Sequence, residues 1–274
     1  MKRSTNKRGG AKLGQHLLTN SGIAHAVAVA AKVTEGTLVY EIGPGKGMLT
    51  KELLALGARV TAVEKDPAMV AHLLHSFAGD IRNKRLTVIE GDARDHAPDT
   101  VFPSEAYVIA ANIPYYITGE LIRSALTTQN QPRAVALLVQ KEVAERIARS
   151  KKESILSLSV KAYGTPRYVK TVSRGSFNPP PAVDSAILSI ENISRGNFTP
   201  SLLKSGGKGS ESIEEKFFEV VKAGFSQKRK TLAGNLKRSF GEKALGVLEE
   251  AGIPEKARAE DVGLKEWLSL ASSL

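Results

Sequence analysis

The chain is expected to fold as an α/β domain built on a parallel sheet, followed by a small all-helical domain, and three observations carry this. Short apolar runs alternate with amphipathic stretches from Leu38 to about Arg149, the pattern of βαβ units whose sheet is covered on both faces. The first of those runs ends in a glycine turn, Gly43-Pro44-Gly45-Lys46-Gly47, where a nucleotide-binding βα loop belongs. Beyond Ile213 the apolar residues recur at helical spacing.

Composition sets outer limits. A chain of 274 residues that is 42% hydrophobic can fill one large core and one small one. The absence of cysteine excludes a disulfide framework and any thiolate nucleophile or metal site. A formal charge of +11 favours a polyanionic partner. No apolar run approaches the roughly 18 residues needed to cross a bilayer, and the N-terminus lacks a signal-peptide core. A soluble cytoplasmic protein without a membrane partner is therefore expected.

In chain order, residues 1–12 carry five basic residues, no acid and Gly9-Gly10, which reads as a mobile basic tail, either solvated or touching RNA. A catalytic domain is expected over residues 13–194. Its strand Leu38–Ile42 enters the glycine turn and then a helix with apolar Leu49, Leu53, Leu54 and Leu56. The strand Arg59–Val63 ends at Glu64, where a carboxylate can accept hydrogen bonds from two ribose hydroxyls. The strand Leu86–Ile89 ends at Gly91-Asp92-Ala93, and Asp92 can take the amine of an adenine ring. The turn spacing is GxGxG rather than GxGxxG, so a nicotinamide enzyme is the runner-up for this half.

The apolar run Tyr107–Ala111 leads into Asn112-Ile113-Pro114-Tyr115. An exocyclic adenine amine is a poor nucleophile because its lone pair is delocalised into the ring. The Asn112 carboxamide oxygen, with the Ile113 or Pro114 carbonyl, can accept both amine hydrogens and draw that lone pair out of conjugation. Proline has no N–H and a fixed φ, so it holds those carbonyls in place, and Tyr115 offers a flat face for the base. The simpler reading is a strand running into a turn; the glycine loop favours methyl transfer to a base amine. A strand over Ala134–Val139 and a charged helix from Lys141 follow.

Phe177-Asn178-Pro179-Pro180-Pro181 is a stiff, extended run before a strand over Ala186–Ile190. It holds Phe177 either as a buried anchor or as a second wall of a base slot. Residues 195–212, rich in Gly, Ser and Lys, read as a linker or long loop. Residues 213–274 read as short helices around Phe217, Phe218, Leu232, Leu236 and Trp267. From Lys222 to Lys243 there are seven basic residues, among them Lys228, Arg229 and Lys230, and one acid. So one-sided a segment favours phosphate contact over a merely solvated face. His72 and His75 share a helix face without a third ligand, and no metal site is expected.

Taken together, Leu13-Gly14-Gln15-His16-Leu17-Leu18, Glu41 to Thr50, Val63-Glu64-Lys65-Asp66, Gly91-Asp92-Ala93, Asn112 to Tyr115, Phe177 to Ser185 and Phe225 to Leu232 resemble, in order and over nearly the whole chain, the ribosomal RNA adenine dimethylases. Within that family they are most like the branch that acts on 16S rRNA and is linked to kasugamycin sensitivity. The resemblance implies a class I methyltransferase sheet (Rossmann-like), an additional antiparallel strand and a helical RNA-binding domain over 213–274. It implies S-adenosyl-L-methionine as cofactor, bordered by His16 and Leu18, looped by Gly43 and Gly45, with Glu64 on its ribose, Asp92 on its adenine and Asn112 at its methionine end. Asn112, Pro114, Tyr115 and Phe177 are the implied catalytic residues, and Lys228, Arg229 and Lys230 the RNA contacts. The implied reaction is dimethylation of the N6 amines of two adjacent adenines near the 3′ end of 16S rRNA during small-subunit biogenesis, by a monomer. Two positions depart from the family pattern, Leu17 where Phe is usual and Lys228 where Arg is common. The alternatives are a 23S rRNA methyltransferase of the resistance type and a non-catalytic RNA-binding assembly factor.

Overall fold

The structure is a computed structural model that describes residues 16–199 and 212–274. The expected basic tail and most of the expected linker lie outside the described residues. Nine strands are present among the described residues: β1 (Leu17–Leu18), β2 (Leu38–Ile42), β3 (Arg59–Glu64), β4 (Leu86–Glu90), β5 (Tyr107–Asn112), β6 (Val135–Gln140), β7 (Thr165–Val172), β8 (Phe177–Asn178) and β9 (Ser185–Glu191). Seven form one sheet in the order β4-β3-β2-β5-β6-β9-β7, while β1 and β8 form a separate antiparallel pair. From β4 to β6 the strands run parallel, and β9 is antiparallel to both β6 and β7.

The central strands are mainly apolar because both faces are covered, with Glu41 as a buried exception within β2. Alternate residues of β2 and β5 serve opposite faces. Val39 and Val108 join the side packed by Ile23, Val27 and Leu53, whereas Tyr40 and Ile109 join the side packed by Ile122, Leu126 and Leu158. Helix α1 (Ser21–Ala30) covers the first face and is capped by Asn20, whose side chain accepts from the Ile23 N–H. The glycine turn feeds α2 (Met48–Ala55) against that same face. On the edge, β7 alternates exposed and half-buried residues, carries Pro166 and Lys170, and shifts register between Tyr168 and Lys170. These features blunt an edge strand against further pairing.

The helical expectation past 213 holds. Helix α3 (Ile213–Gly224) is opened by a reciprocal capping box between Ser212 and Glu215. It is followed by Leu232–Phe240, Lys243–Glu250 and Leu264–Ser273. Trp267 is fully buried at their centre, donates its indole N–H to the Val262 carbonyl at 3.1 Å, and closes on Gly224, where a Cβ would approach its ring to 2.3 Å.

The beginning of the expected linker is not loose. Arg195 donates to the carbonyls of Thr127 at 2.7 Å and Thr128 at 3.0 Å and to Glu214 Oε2 at 3.0 Å. Phe198 lies 5.3 Å from the Tyr163 ring and 5.6 Å from the Phe217 ring. One apolar cluster therefore runs from the sheet through Tyr163 and Phe198 into the C-terminal helices. Composition favours a linker over 195–212 because Gly, Ser and Lys recur there; in its described start, Arg195 and the buried Phe198 tie the chain to its neighbours. Trp267→Ala should cost about 3–5 kcal/mol, read as a lowered urea midpoint, since it empties the largest side chain from this shared core.

Candidate functional site

Strand order reverses between β2 and β5, whose neighbours lie on opposite sides. A crevice therefore opens at their carboxyl ends, where ligands of open α/β sheets bind. Backbone bonds prolong the ladder past the strands: Gly43 N–H donates to Val63 O and Gly91 N–H to Glu64 O, both at 2.9 Å. This registration sets Gly43, Glu64 and Asp92 side by side, and all three line one cleft together with Pro114 and Tyr116. An adjoining pocket, sharing Gly43, is lined by Leu17, Leu18, Glu41, Gly45 and Asn112. The expected cofactor residues are thus brought together, and His16 joins them through hydrogen bonds.

Gly43 and Gly45 have φ of +63° and +57°, a left-handed conformation that glycine adopts without strain. At Gly45 a Cβ would also meet Leu17 Cδ2 at 2.7 Å, whereas Gly43 faces open space. Glu64 is 2% exposed, and a buried carboxylate needs donors. Its donors are the Gly45 N–H on Oε2 and the Asp66 N–H on Oε1, each at 2.9 Å. The carboxylate locks the glycine loop against β3 and retains lone pairs for hydroxyl donors.

Asn112 donates from Nδ2 to the His16 carbonyl at 3.0 Å. That bond fixes the amide orientation and leaves Oδ1 as the acceptor. The His16 ring meets the Pro179 carbonyl through Nδ1 at 2.8 Å, which requires the proton on Nδ1. One residue therefore joins the N-terminal segment, the Asn112 strand end and the proline run. The Pro114 carbonyl accepts from the Ile117 N–H at 3.3 Å, closing a 3-10 turn over Tyr115–Ile117. The stacking face expected of Tyr115 is a side chain outside those described. Phe177, antiparallel partner of Leu18, is 4% exposed and packs with Leu18 in the apolar layer under α1. In this arrangement its ring is the anchor of the proline run, and stacking on a base requires that run to move. Exposed instead is Tyr116, at 71%.

Lys228, Arg229 and Lys230 are all exposed, on the turn between the helices Ile213–Gly224 and Leu232–Phe240. Asn235, 3% exposed, donates from Nδ2 to the carbonyls of Gly224 at 2.6 Å and Gln227 at 3.2 Å, which fixes the turn from beneath. Among the described residues no cluster suits a metal ion.

Two groups escaped the sequence reading. Glu41 is 1% exposed; Thr50 donates to its Oε2 at 2.7 Å, while Oε1 has no partner. Burial, reinforced by the nearby Glu64 and opposed by the Thr50 hydroxyl, pushes its carboxyl from 4.5 up to about 8. The signal available in sequence was an acid set within the buried run Leu38–Ile42. Arg94 is the second: its side chain grips Asp92 through Nε at 3.0 Å and Nη2 at 2.6 Å, its own N–H adds a bond at 3.0 Å, and Lys65 Nζ adds another at 2.9 Å. The Arg94 guanidinium, with Lys65, holds the Asp92 carboxyl well below the usual carboxylate range.

The Glu41 carboxyl has a signature in stability. Its folded value lies above the unfolded one, so the folded chain keeps a proton that the unfolded chain has lost. Stability should fall as pH rises from 4.5 to about 8. Glu41→Gln should flatten that slope by on the order of 1–4 kcal/mol across the window, measured by urea denaturation as a function of pH.

Comparison with known proteins agrees with this geometry. The family profile of ribosomal RNA adenine dimethylase matches residues 6–274. The chain is 37% identical over 263 residues to the ribosomal RNA small subunit methyltransferase A of Dehalococcoides mccartyi (strain CBDB1), covering 94% of this chain and 86% of that one. Its fold superposes on a dimethyladenosine transferase from Plasmodium falciparum with a TM-score of 0.75 at 31% identity, over 93% of this chain and 96% of the other. A 23S rRNA methyltransferase, ErmE, shares the fold at a TM-score of 0.71 and 23% identity, over 94% of this chain and 99% of that one. With the cleft, the glycine loop and the Asn112 turn in one crevice, and a family match over nearly its full length, the chain belongs to the ribosomal RNA adenine dimethylase family.

Proposed function

We propose that this chain transfers methyl groups from S-adenosyl-L-methionine to the N6 amines of two adjacent adenines near the 3′ end of 16S rRNA, forming N6,N6-dimethyladenosine in the small subunit or its precursor. The observation that carries the proposal is the Asn112 amide, oriented by the His16 carbonyl so that Oδ1 accepts, at the edge of the pocket formed by the glycine loop. The relative named small subunit methyltransferase A supports the 16S target.

The residues fit the cofactor. Gly43 and Gly45 would let the backbone pass close to it, Glu64 would receive the ribose hydroxyls, and the unpartnered Oε1 of Glu41, in the pocket lining, would be available to its methionine end. His16 and Leu18 would border that end, and Asp92 would serve the adenine amine. When bound, the cofactor supplies an electrophilic sulfonium methyl. Asn112 Oδ1 and the Ile113 or Pro114 carbonyl accept the two hydrogens of the target amine, which redirects its lone pair toward that methyl. Alignment and hydrogen bonding carry the rate, and the methylated amine is acidic enough to lose its proton to water. After one methylation the amine still has a hydrogen, and acceptors rather than a tight cage let it turn and present its lone pair again. Tyr115 and Phe177 are proposed as partners of the base, Phe177 once the proline run shifts. Lys228, Arg229 and Lys230 bind RNA phosphate.

Glu64→Ala should weaken S-adenosylhomocysteine binding in calorimetry by about 1.5–3 kcal/mol and also lower the melting temperature, since two backbone donors lose their acceptor. Replacing Lys228, Arg229 and Lys230 together with Ala should weaken RNA binding, lower the log–log salt slope by up to about 0.9 per lost contact and leave cofactor affinity unchanged. The deciding experiment is nucleoside mass spectrometry after incubation with S-adenosylmethionine and under-methylated small subunits. Dimethyladenosine is expected, and Asn112→Ala should abolish it while leaving the chain folded, with only the small fall in melting temperature owed to the lost bond to the His16 carbonyl. Only monomethyladenosine, or methylation confined to large-subunit RNA, would overturn the reading.

A further inference from the structure

Asp92 occupies the place where the cofactor's adenine amine is to be received, yet its carboxylate is already full. Oδ1 accepts from the Arg94 backbone N–H and from Arg94 Nε; Oδ2 accepts from Arg94 Nη2 and from Lys65 Nζ. An ionised carboxylate offers about four lone-pair sites, so a further N–H enters only if one of these donors leaves. The backbone N–H is fixed by the chain. The Arg94 fork is not: its side chain is 44% exposed, whereas Asp92 is 15% exposed. Withdrawing the fork vacates one position on each oxygen, while Lys65 keeps the carboxylate ionised.

Arg94 lines the same cleft as Glu64, Asp92, Pro114 and Tyr116. Pro114 opens the turn proposed to receive the target base, and Tyr116 on that turn is exposed. A nucleotide inserted at that turn brings phosphate, for which a forked guanidinium is a better match than a carboxylate already held by a lysine. We infer that Arg94 occupies the adenine subsite as a resident competitor and passes to RNA phosphate when substrate binds, so that RNA binding raises cofactor affinity. The inference rests on the reading that Asp92 receives the adenine amine. Linkage makes the coupling reciprocal: cofactor binding strengthens RNA binding by the same factor.

The test is equilibrium dialysis of labelled S-adenosylhomocysteine, with and without under-methylated small subunits in excess, for the unaltered chain, Arg94→Met, Arg94→Lys and Asp92→Asn. An exposed ion pair is worth a modest factor, so without subunits Arg94→Met should bind roughly two- to fivefold tighter than the unaltered chain. Arg94→Lys, which keeps the charge without the fork, should fall between them. Subunits should tighten binding by the unaltered chain and leave Arg94→Met unchanged. Arg94→Met binding equally or more weakly without subunits, or tightening that persists in Arg94→Met, would overturn the inference while the cofactor reading stands. Absence of binding by the unaltered chain, or unchanged binding by Asp92→Asn, would overturn the cofactor reading itself and this inference with it.

Discussion

The arrangement of the catalytic end turns on one buried carboxylate. Glu64, at the end of β3, must find donors because water does not reach it, and it finds them in the Gly45 and Asp66 amides. The first bond draws the glycine loop onto β3. The second shapes the chain as it turns into the helix Pro67–Ser76, which Asp66 caps from its side chain. The glycines make the approach feasible: Gly45 has a φ of +57°, which side-chain-bearing residues rarely adopt, so a larger residue there would strain the turn that carries its N–H to the carboxylate. Sheet order places this assembly at the reversal point, and the rest of the pocket is added around it.

What is added comes from distant parts of the chain. The pairing of Leu18 with Phe177, the Thr19 bonds to the Ser176 carbonyl and the His16 contact with Pro179 stitch the N-terminal segment to the proline run. The His16 carbonyl then fixes the Asn112 amide. A rigid amide at this point matters because chemistry by alignment fails with small errors of position. Phe177 contributes as an apolar anchor for the same stitching, which is why its ring is covered in this structure.

Charge is distributed differently at the C-terminal turn and at the cleft. The net positive chain exposes Lys228, Arg229 and Lys230 on a turn that Asn235 holds from below. At the cleft, cations and carboxylates are interleaved instead: Lys65 and Arg94 on Asp92, with Glu41 buried deeper and pushed toward neutrality by desolvation. The C-terminal helices do not float beside this site. The Arg195–Glu214 pair and the Tyr163, Phe198 and Phe217 rings weld them to the sheet domain, so the basic turn keeps a defined direction relative to the crevice.

The sequence by itself determined the parallel core and most of the site. Strands such as Leu38–Ile42 and Arg59–Glu64 fall where short, mainly apolar runs placed them, because a strand covered on both faces has little freedom in composition. Gly43, Glu64, Asp92 and Asn112 were legible because each ends such a run. Thr165–Val172 was not, since its alternating polar residues and Pro166 suit only an edge, and an edge strand exists by virtue of its register with β9. The two-residue pair β1 and β8 has no local signal at all, being held by contacts across more than a hundred and fifty residues. Tertiary structure alone decided that Phe177 is covered, that Glu41 is desolvated and that Arg94 and Lys65 together fill the bonding capacity of Asp92. Burial and hydrogen-bond saturation are properties of what packs around a residue, and the order of residues along the chain does not carry them.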